Sequence, residues 1–216
     1  MTHQQSRLEI IGFDNEPILN TFHQQAEPSG TLGLVFPGIG YSMHMPVMYY
    51  SSKILLDGGL DVLEVDYNYR RSSFQNEPED ERLHWILTDA ANAYHAANAR
   101  GSYKKLVAVG KSIGTIAMLS LLDEPGLQPA KFVWITPLLK REDVRSSILS
   151  VARISLVIIG TNDQHYDAEY LAAIEGTGAQ VLVMENADHS LEIEHDLFDA
   201  LDGLRTGLEL LEGFIS

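Results

Sequence analysis

The pentapeptide Gly110-Lys111-Ser112-Ile113-Gly114 places two glycines around a serine in the G-x-S-x-G spacing. Such a serine does nucleophilic chemistry where a strand runs into a sharp turn and then a helix. The strained turn lifts the hydroxyl clear of the backbone, and the glycines relieve the crowding. Here an apolar run over 105–109 precedes the serine and an almost wholly apolar run over 113–122 follows it. Gly110-Lys111-Ser112 also matches the end of a phosphate-binding P-loop. That loop needs a glycine five positions before its Gly-Lys, and position 105 is Lys. A serine hydroxyl is a weak nucleophile until a base takes its proton and a third group orients the base. Two residues just past later apolar runs suit those tasks: Asp163, after the run over 154–159, and His189, after the run over 180–184. Asp188 is the competing acid; as the sequence neighbour of His189 it is expected to point elsewhere, so Asp163 is the expected partner.

These three residues can meet only if the elements before them end on one side of a sheet. Strand-like runs occur at 8–12, 18–23, 31–36, 61–65, 105–109, 131–135, 154–159 and 180–184. The later runs are continuously apolar, as in parallel strands covered on both faces. Between them lie helical patterns. Leu83, Leu87, Ala90, Tyr94 and Ala97 form one stripe within a helix expected from Glu79 to about Arg100, and Leu197, Leu201, Leu204, Leu208 and Leu211 form another near the end of the chain. A short Asp14-Asn15-Glu16-Pro17 turn predicts that the first two strands form an antiparallel hairpin, whereas every later strand is followed by a longer connection. The expected fold class is therefore α/β: a mostly parallel central sheet of about eight strands, with helices on both faces and a single domain over 1–216. In such sheets ligands bind beyond the carboxyl ends of the strands. The stretch 136–153 has room for a short helix but not for a cap domain, which predicts an open pocket.

The order Ser112, Asp163, His189 after such a turn resembles the α/β-hydrolase fold, in particular small, lid-poor serine hydrolases related to dienelactone hydrolases and compact carboxylesterases. The resemblance runs from about Thr31 to the end of the chain. It implies a hydrolase that cleaves an ester or thioester through an acyl-enzyme on Ser112. The loop Phe36-Pro37-Gly38-Ile39-Gly40-Tyr41 resembles the family's oxyanion loop, with Pro37 where a His is common. By that resemblance the backbone N–H groups of Ile39 and Ile113 are the oxyanion donors, with Gly40 as the neighbouring option; Gly40 and Tyr41 also border the substrate. Arg70 and Arg71, after the run over 61–65, are candidates to pair with a substrate carboxylate or phosphate, or else with local acids such as Glu77 and Asp80. A peptidase using the same residues, and a non-catalytic binding protein on the same fold, are the alternative readings.

Composition narrows the field further. Fifteen Lys and Arg against thirty Asp and Glu give a net charge of −15, which repels nucleic-acid phosphates and anionic lipid. The expected partner is a small-molecule substrate, with neither nucleic acid nor membrane involved; nothing in the sequence specifies an oligomeric state. Cysteine is absent, which removes disulfides, thiolate metal sites and cysteine nucleophiles together. His44, His84, His95 and His195 show no metal-ligand spacing, and His165 and Asp167 are read as pocket-edge or surface residues, so neither a metal nor another cofactor is expected. The polar start, without a signal-like apolar core, predicts a cytoplasmic protein.

Overall fold

A computed structural model describes residues 3–122 and 130–216. Eight strands form one sheet: β1 (His3–Ser6), β2 (Leu19–Gln25), β3 (Thr31–Phe36), β4 (Asp61–Asp66), β5 (Lys105–Lys111), β6 (Ala130–Ile135), β7 (Ser155–Gly160) and β8 (Gln180–Met184), in the spatial order β1-β2-β4-β3-β5-β6-β7-β8. From β4 onward every neighbouring pair is parallel, so β3 to β8 all end on one rim. The helices are α1 (Pro46–Asp57), α2 (Ser72–Gln75), α3 (Glu79–Asn98), α4 (Gly114–Ala117), α5 (Glu142–Ser150), α6 (Ala168–Gly176) and α7 (Leu197–Ile215).

Period-two alternation divides the core. Leu32, Leu34 and Phe36, Ala108, Phe132 and Trp134, and Val157 and Ile159 face one side with α3, α5 and α6. Val35, Val107 and Val109, Val133 and Ile135, and Leu156 and Ile158 face the other with α1 and α7. The strands are apolar throughout because both faces are covered. Between β6 and β7 lie only α5 and a short 3-10 turn at Ala152–Ile154, and no cap domain covers the rim.

Two expectations about local structure change. The N-terminal hairpin expected between 8–12 and 18–23 forms only as a short closure: an antiparallel bridge joins Ile11 to Pro17, and the Ile18 N–H donates to the Ile10 carbonyl at 2.9 Å. The strands that pair antiparallel with β2 in the sheet are β4 on one side and, on the other, β1, four polar residues aligned His3 to Gln25 through Ser6 to Phe22. In 8–12 the alternation of Leu8 and Ile10 reflects packing against the core, with Ile10 buried. The Asn20 side chain takes both the Leu8 N–H (3.0 Å) and the Leu8 carbonyl (2.9 Å), so the pairing does not extend into a longer ladder at Leu8. The second change concerns the helix expected over 113–122, which has a single α-turn, α4, and then tightens into a 3-10 turn at Met118–Leu121.

Candidate active site

β5 delivers Ser112 to the rim in a strained conformation, with φ of 53° at a non-glycine residue. Both flanking glycines are needed for close approach. A Cβ on Gly110 would lie 2.5 Å from the Gly114 carbonyl oxygen and from the Met118 sulfur, and one on Gly114 would run into the Phe36 backbone carbonyl. The Thr115 hydroxyl donates to the Ser112 carbonyl at 2.6 Å, and the Ser112 N–H donates to the Ile135 carbonyl at 3.0 Å. The turn is thus held from both sides.

Asp163 leaves β7 and His189 follows β8, and the two loops lock together: a Cβ on Gly160 would strike the Ala187 carbonyl, and the Asn162 N–H donates to that carbonyl at 2.9 Å. His189 Nδ1 lies 2.8 Å from Asp163 Oδ2, and His189 Nε2 lies 2.8 Å from Ser112 Oγ. An ionised carboxylate only accepts, so Nδ1 carries the proton and Nε2 accepts from the serine hydroxyl. Burial pushes the Asp163 carboxyl up, but the hydrogen bonds from His189 and from the His165 N–H (2.9 Å) outweigh it and hold the group below its ordinary value. Asp188 does a different job. Its Oδ1 accepts from the N–H groups of Ser190 (2.7 Å) and Glu192 (3.0 Å), which shapes the loop after His189.

The loop after β3 lies against the serine, since a Cβ on Gly38 would be 3.4 Å from the Ser112 Cβ. Tyr67 fixes this loop by donating its hydroxyl to the Pro37 carbonyl at 3.0 Å, and Tyr67, Tyr69 and Phe74 stack behind it at 4.2 and 4.4 Å. Among the described residues, the N–H groups of Ile39 and Ile113 donate to no protein oxygen.

A groove of about 390 Å³ contains Ser112 and has an apolar floor of Ile39, Phe74, Leu83, Ile86, Ile113 and Leu138. Two arginines border it. Arg141 is committed to Asp143 and Glu79, both at 2.6 Å. Arg82 makes no ion pair among the described residues. A larger apolar recess, about 500 Å³ between 190–197, α7 and the start of α1, does not contain Ser112; the smaller groove is the one that reaches it.

The arginines singled out in the sequence lie elsewhere. Arg71 pairs with Asp14 at 2.7 Å and covers the Trp85 ring at 4.9 Å, so its local acid is neither Glu77 nor Asp80. Arg70 is exposed, and its guanidinium lies where a Cβ on Gly40 would point, in a surface hollow that does not include Ser112; Gly40 itself has a φ of 73°. Tyr41 sits beneath the Lys111 ammonium, 4.4 Å from ring centroid to nitrogen. His165 stands 5.6 Å from His189, ring to ring, and burial holds its imidazole below the ordinary value. Nothing in the sequence reading assigns Arg82, Tyr67 or the buried Lys111 to the site. Arg82 was recoverable from α3, where it lies four positions before the groove residue Ile86.

No group of three or more His, Asp or Glu side chains that would hold a metal occurs among the described residues. No helix among them is long and apolar enough to cross a membrane.

Comparison with known proteins bears on the fold and the family. A family model described as "Alpha/beta hydrolase domain" matches residues 33–199. Solved structures with similar folds include an esterase from Pyrococcus furiosus, at 16% identity and TM-score 0.67, covering 99% of this chain and 92% of that one. A serine hydrolase without lid from Xanthomonas campestris superposes at 18% identity and TM-score 0.64, covering 97% and 96%. A dienelactone hydrolase from Anabaena variabilis does so at 16% identity and TM-score 0.65, covering 100% and 98%. No curated protein matches. At such identities the structures speak for the fold alone, whereas the family model spans most of the sequence, and the chain belongs to the alpha/beta hydrolase domain family.

Proposed function

We propose that the protein is a serine hydrolase that cleaves a carboxylic ester or thioester, with Ser112 as nucleophile, His189 as general base and acid, and Asp163 as the group that orients His189. The observation that carries this reading is the continuous pair of 2.8 Å contacts from Asp163 through His189 to Ser112, which itself lines an open groove. The Ser112 hydroxyl oxygen attacks the carbonyl carbon while its proton passes to His189 Nε2. Negative charge then develops on the carbonyl oxygen, which the unused N–H groups of Ile39 and Ile113 are free to receive; in comparable systems one such donor is worth about 3 kcal/mol. His189 returns the proton to the departing alcohol or thiol. Water, deprotonated by the same imidazole, then releases the acid and restores Ser112. A binder would have no use for the strain at Ser112, which favours the catalytic reading over the non-catalytic one.

The test is active-site labelling with a fluorophosphonate, together with turnover of p-nitrophenyl esters and acyl-CoA thioesters. The expected result is labelling and turnover by the parent protein and loss of both in a folded Ser112→Ala variant. Labelling retained at another serine overturns the assignment.

A further inference from the structure

Lys111 is the residue of the pentapeptide that the chemistry above leaves unused, and it is almost completely buried, at 1% exposure. An ammonium in the interior needs partners, because desolvation disfavours the charged form. Here the partners come from three separate loops. Lys111 Nζ donates to the His189 carbonyl at 2.7 Å and to Thr136 Oγ1 at 3.0 Å, and it lies 4.4 Å from the Tyr41 ring centroid. Thr136 is itself held in a left-handed conformation, φ 42°, by its N–H bond to the Ile158 carbonyl at 2.7 Å. One side chain therefore joins the serine turn to the backbone of the residue that must accept the serine's proton.

We infer that Lys111 is a positioning residue: its ammonium clamps the His189 backbone so that the imidazole reaches Ser112 Oγ, and the clamp is tight only while Lys111 is protonated. The inference rests on the ester-hydrolase reading above. The reason lies in bond strength. A charge-assisted N–H···O bond is roughly twice as strong as a neutral one, so the neutral amine would hold the His189 carbonyl more loosely. The charged groups facing Lys111 are Asp163, from the loop after β7, and Asp188, from the loop after β8; both favour the ammonium. Burial opposes them and dominates, pushing the Lys111 pKa down to about 8. The neighbouring Tyr41 moves the other way, since its burial raises the phenol above its ordinary value, and it does not ionise in the same range.

The experiment measures kcat and KM for p-nitrophenyl acetate from pH 6 to 10, corrected for spontaneous hydrolysis, in the parent protein and in Lys111→Met and Thr136→Ala. In the parent, kcat is expected to fall on the alkaline side with a midpoint near the value for Lys111. In Lys111→Met, kcat is expected to fall by roughly tenfold to a hundredfold, the range corresponding to one lost charge-assisted hydrogen bond, with KM nearly unchanged and the alkaline fall gone. Thr136→Ala removes an acceptor from the ammonium but keeps the bond to His189, so kcat near neutrality should hold while the alkaline midpoint moves to lower pH. A Lys111→Met variant that does not fold leaves the parent and Thr136→Ala profiles to decide. A flat parent kcat above pH 8, or an alkaline midpoint unmoved by Thr136→Ala, overturns the inference. No ester turnover and no fluorophosphonate labelling by the parent would instead overturn the hydrolase reading.

Discussion

At the scale of single residues, the two acids beside His189 have separate tasks. Asp163 reaches Nδ1 of the imidazole, whereas Asp188 accepts backbone N–H groups of its own loop. Asp163→Asn is therefore expected to lower kcat by roughly 10³–10⁴, because the amide stabilises the wrong imidazole tautomer. Asp188→Asn should cost less than about tenfold, and steady-state kinetics on one ester compares them directly. The reverse ranking would make Asp188 the partner. Asp163 also sets a stability trend. Its folded-state pKa lies below the unfolded value, so its contribution to stability is present above about pH 4 and is lost as pH falls through the folded value. In Asp163→Asn that part of the acid dependence of the urea midpoint should disappear.

At the scale of elements, the serine turn works because β5, β3 and α4 meet at van der Waals distance. Gly114 is where they meet: any Cβ there strikes the Phe36 carbonyl, part of the rigid backbone of β3. Gly114→Ala is expected to cost about 1–3 kcal/mol or more, as overpacking of a dense interior does. It should also abolish fluorophosphonate labelling, since the strain at Ser112 depends on this contact. A urea midpoint equal to the parent's, with labelling intact, would show that the turn tolerates a wider approach. The stacked Tyr67, Tyr69 and Phe74 support the loop after β3 from outside it, from the loop after β4 and from α2.

At the scale of the whole molecule, the net charge of −15 is unevenly placed. Residues 185–216 hold nine acidic side chains and one Arg, whereas Arg82 and Arg141 border the groove beside Ser112. Esters bearing a carboxylate on a short acyl chain are expected to show a lower KM than neutral isosteres. The advantage should weaken as salt shortens the Debye length below the roughly 10 Å of 0.1 M, and Arg82→Ala should remove it. The same substitution at Arg71, which already pairs with Asp14, should leave the preference intact. A parent KM that is independent of salt and unaltered by Arg82→Ala would assign Arg82 to solvent alone. Without a cap domain, a groove of about 390 Å³ suits short chains, so kcat/KM should decline beyond about eight carbons. A maximum on palmitoyl esters would instead bring the larger recess beside 190–197 into use.

The sequence by itself determined the layered α/β architecture, because apolar runs and helical stripes record which faces are buried, and burial follows directly from side-chain type. It also carried Ser112, Asp163 and His189, since each sits immediately past a strand and parallel strands bring such positions to one rim. It did not carry β1, whose four polar residues hold their place through backbone pairing with β2 and a ring contact of His3 with His23 rather than through a buried apolar face. Nor could it say that Arg71 spends its charge on Asp14, 57 positions away, while Arg82 faces the groove. Lys111 is the clearest case. In sequence it is a charged residue beside a serine, but in the fold its ammonium meets a carbonyl, a hydroxyl and an aromatic face from three other loops. Pairing between residues distant in the chain depends on where the backbone travels in between, and only the tertiary structure holds that information.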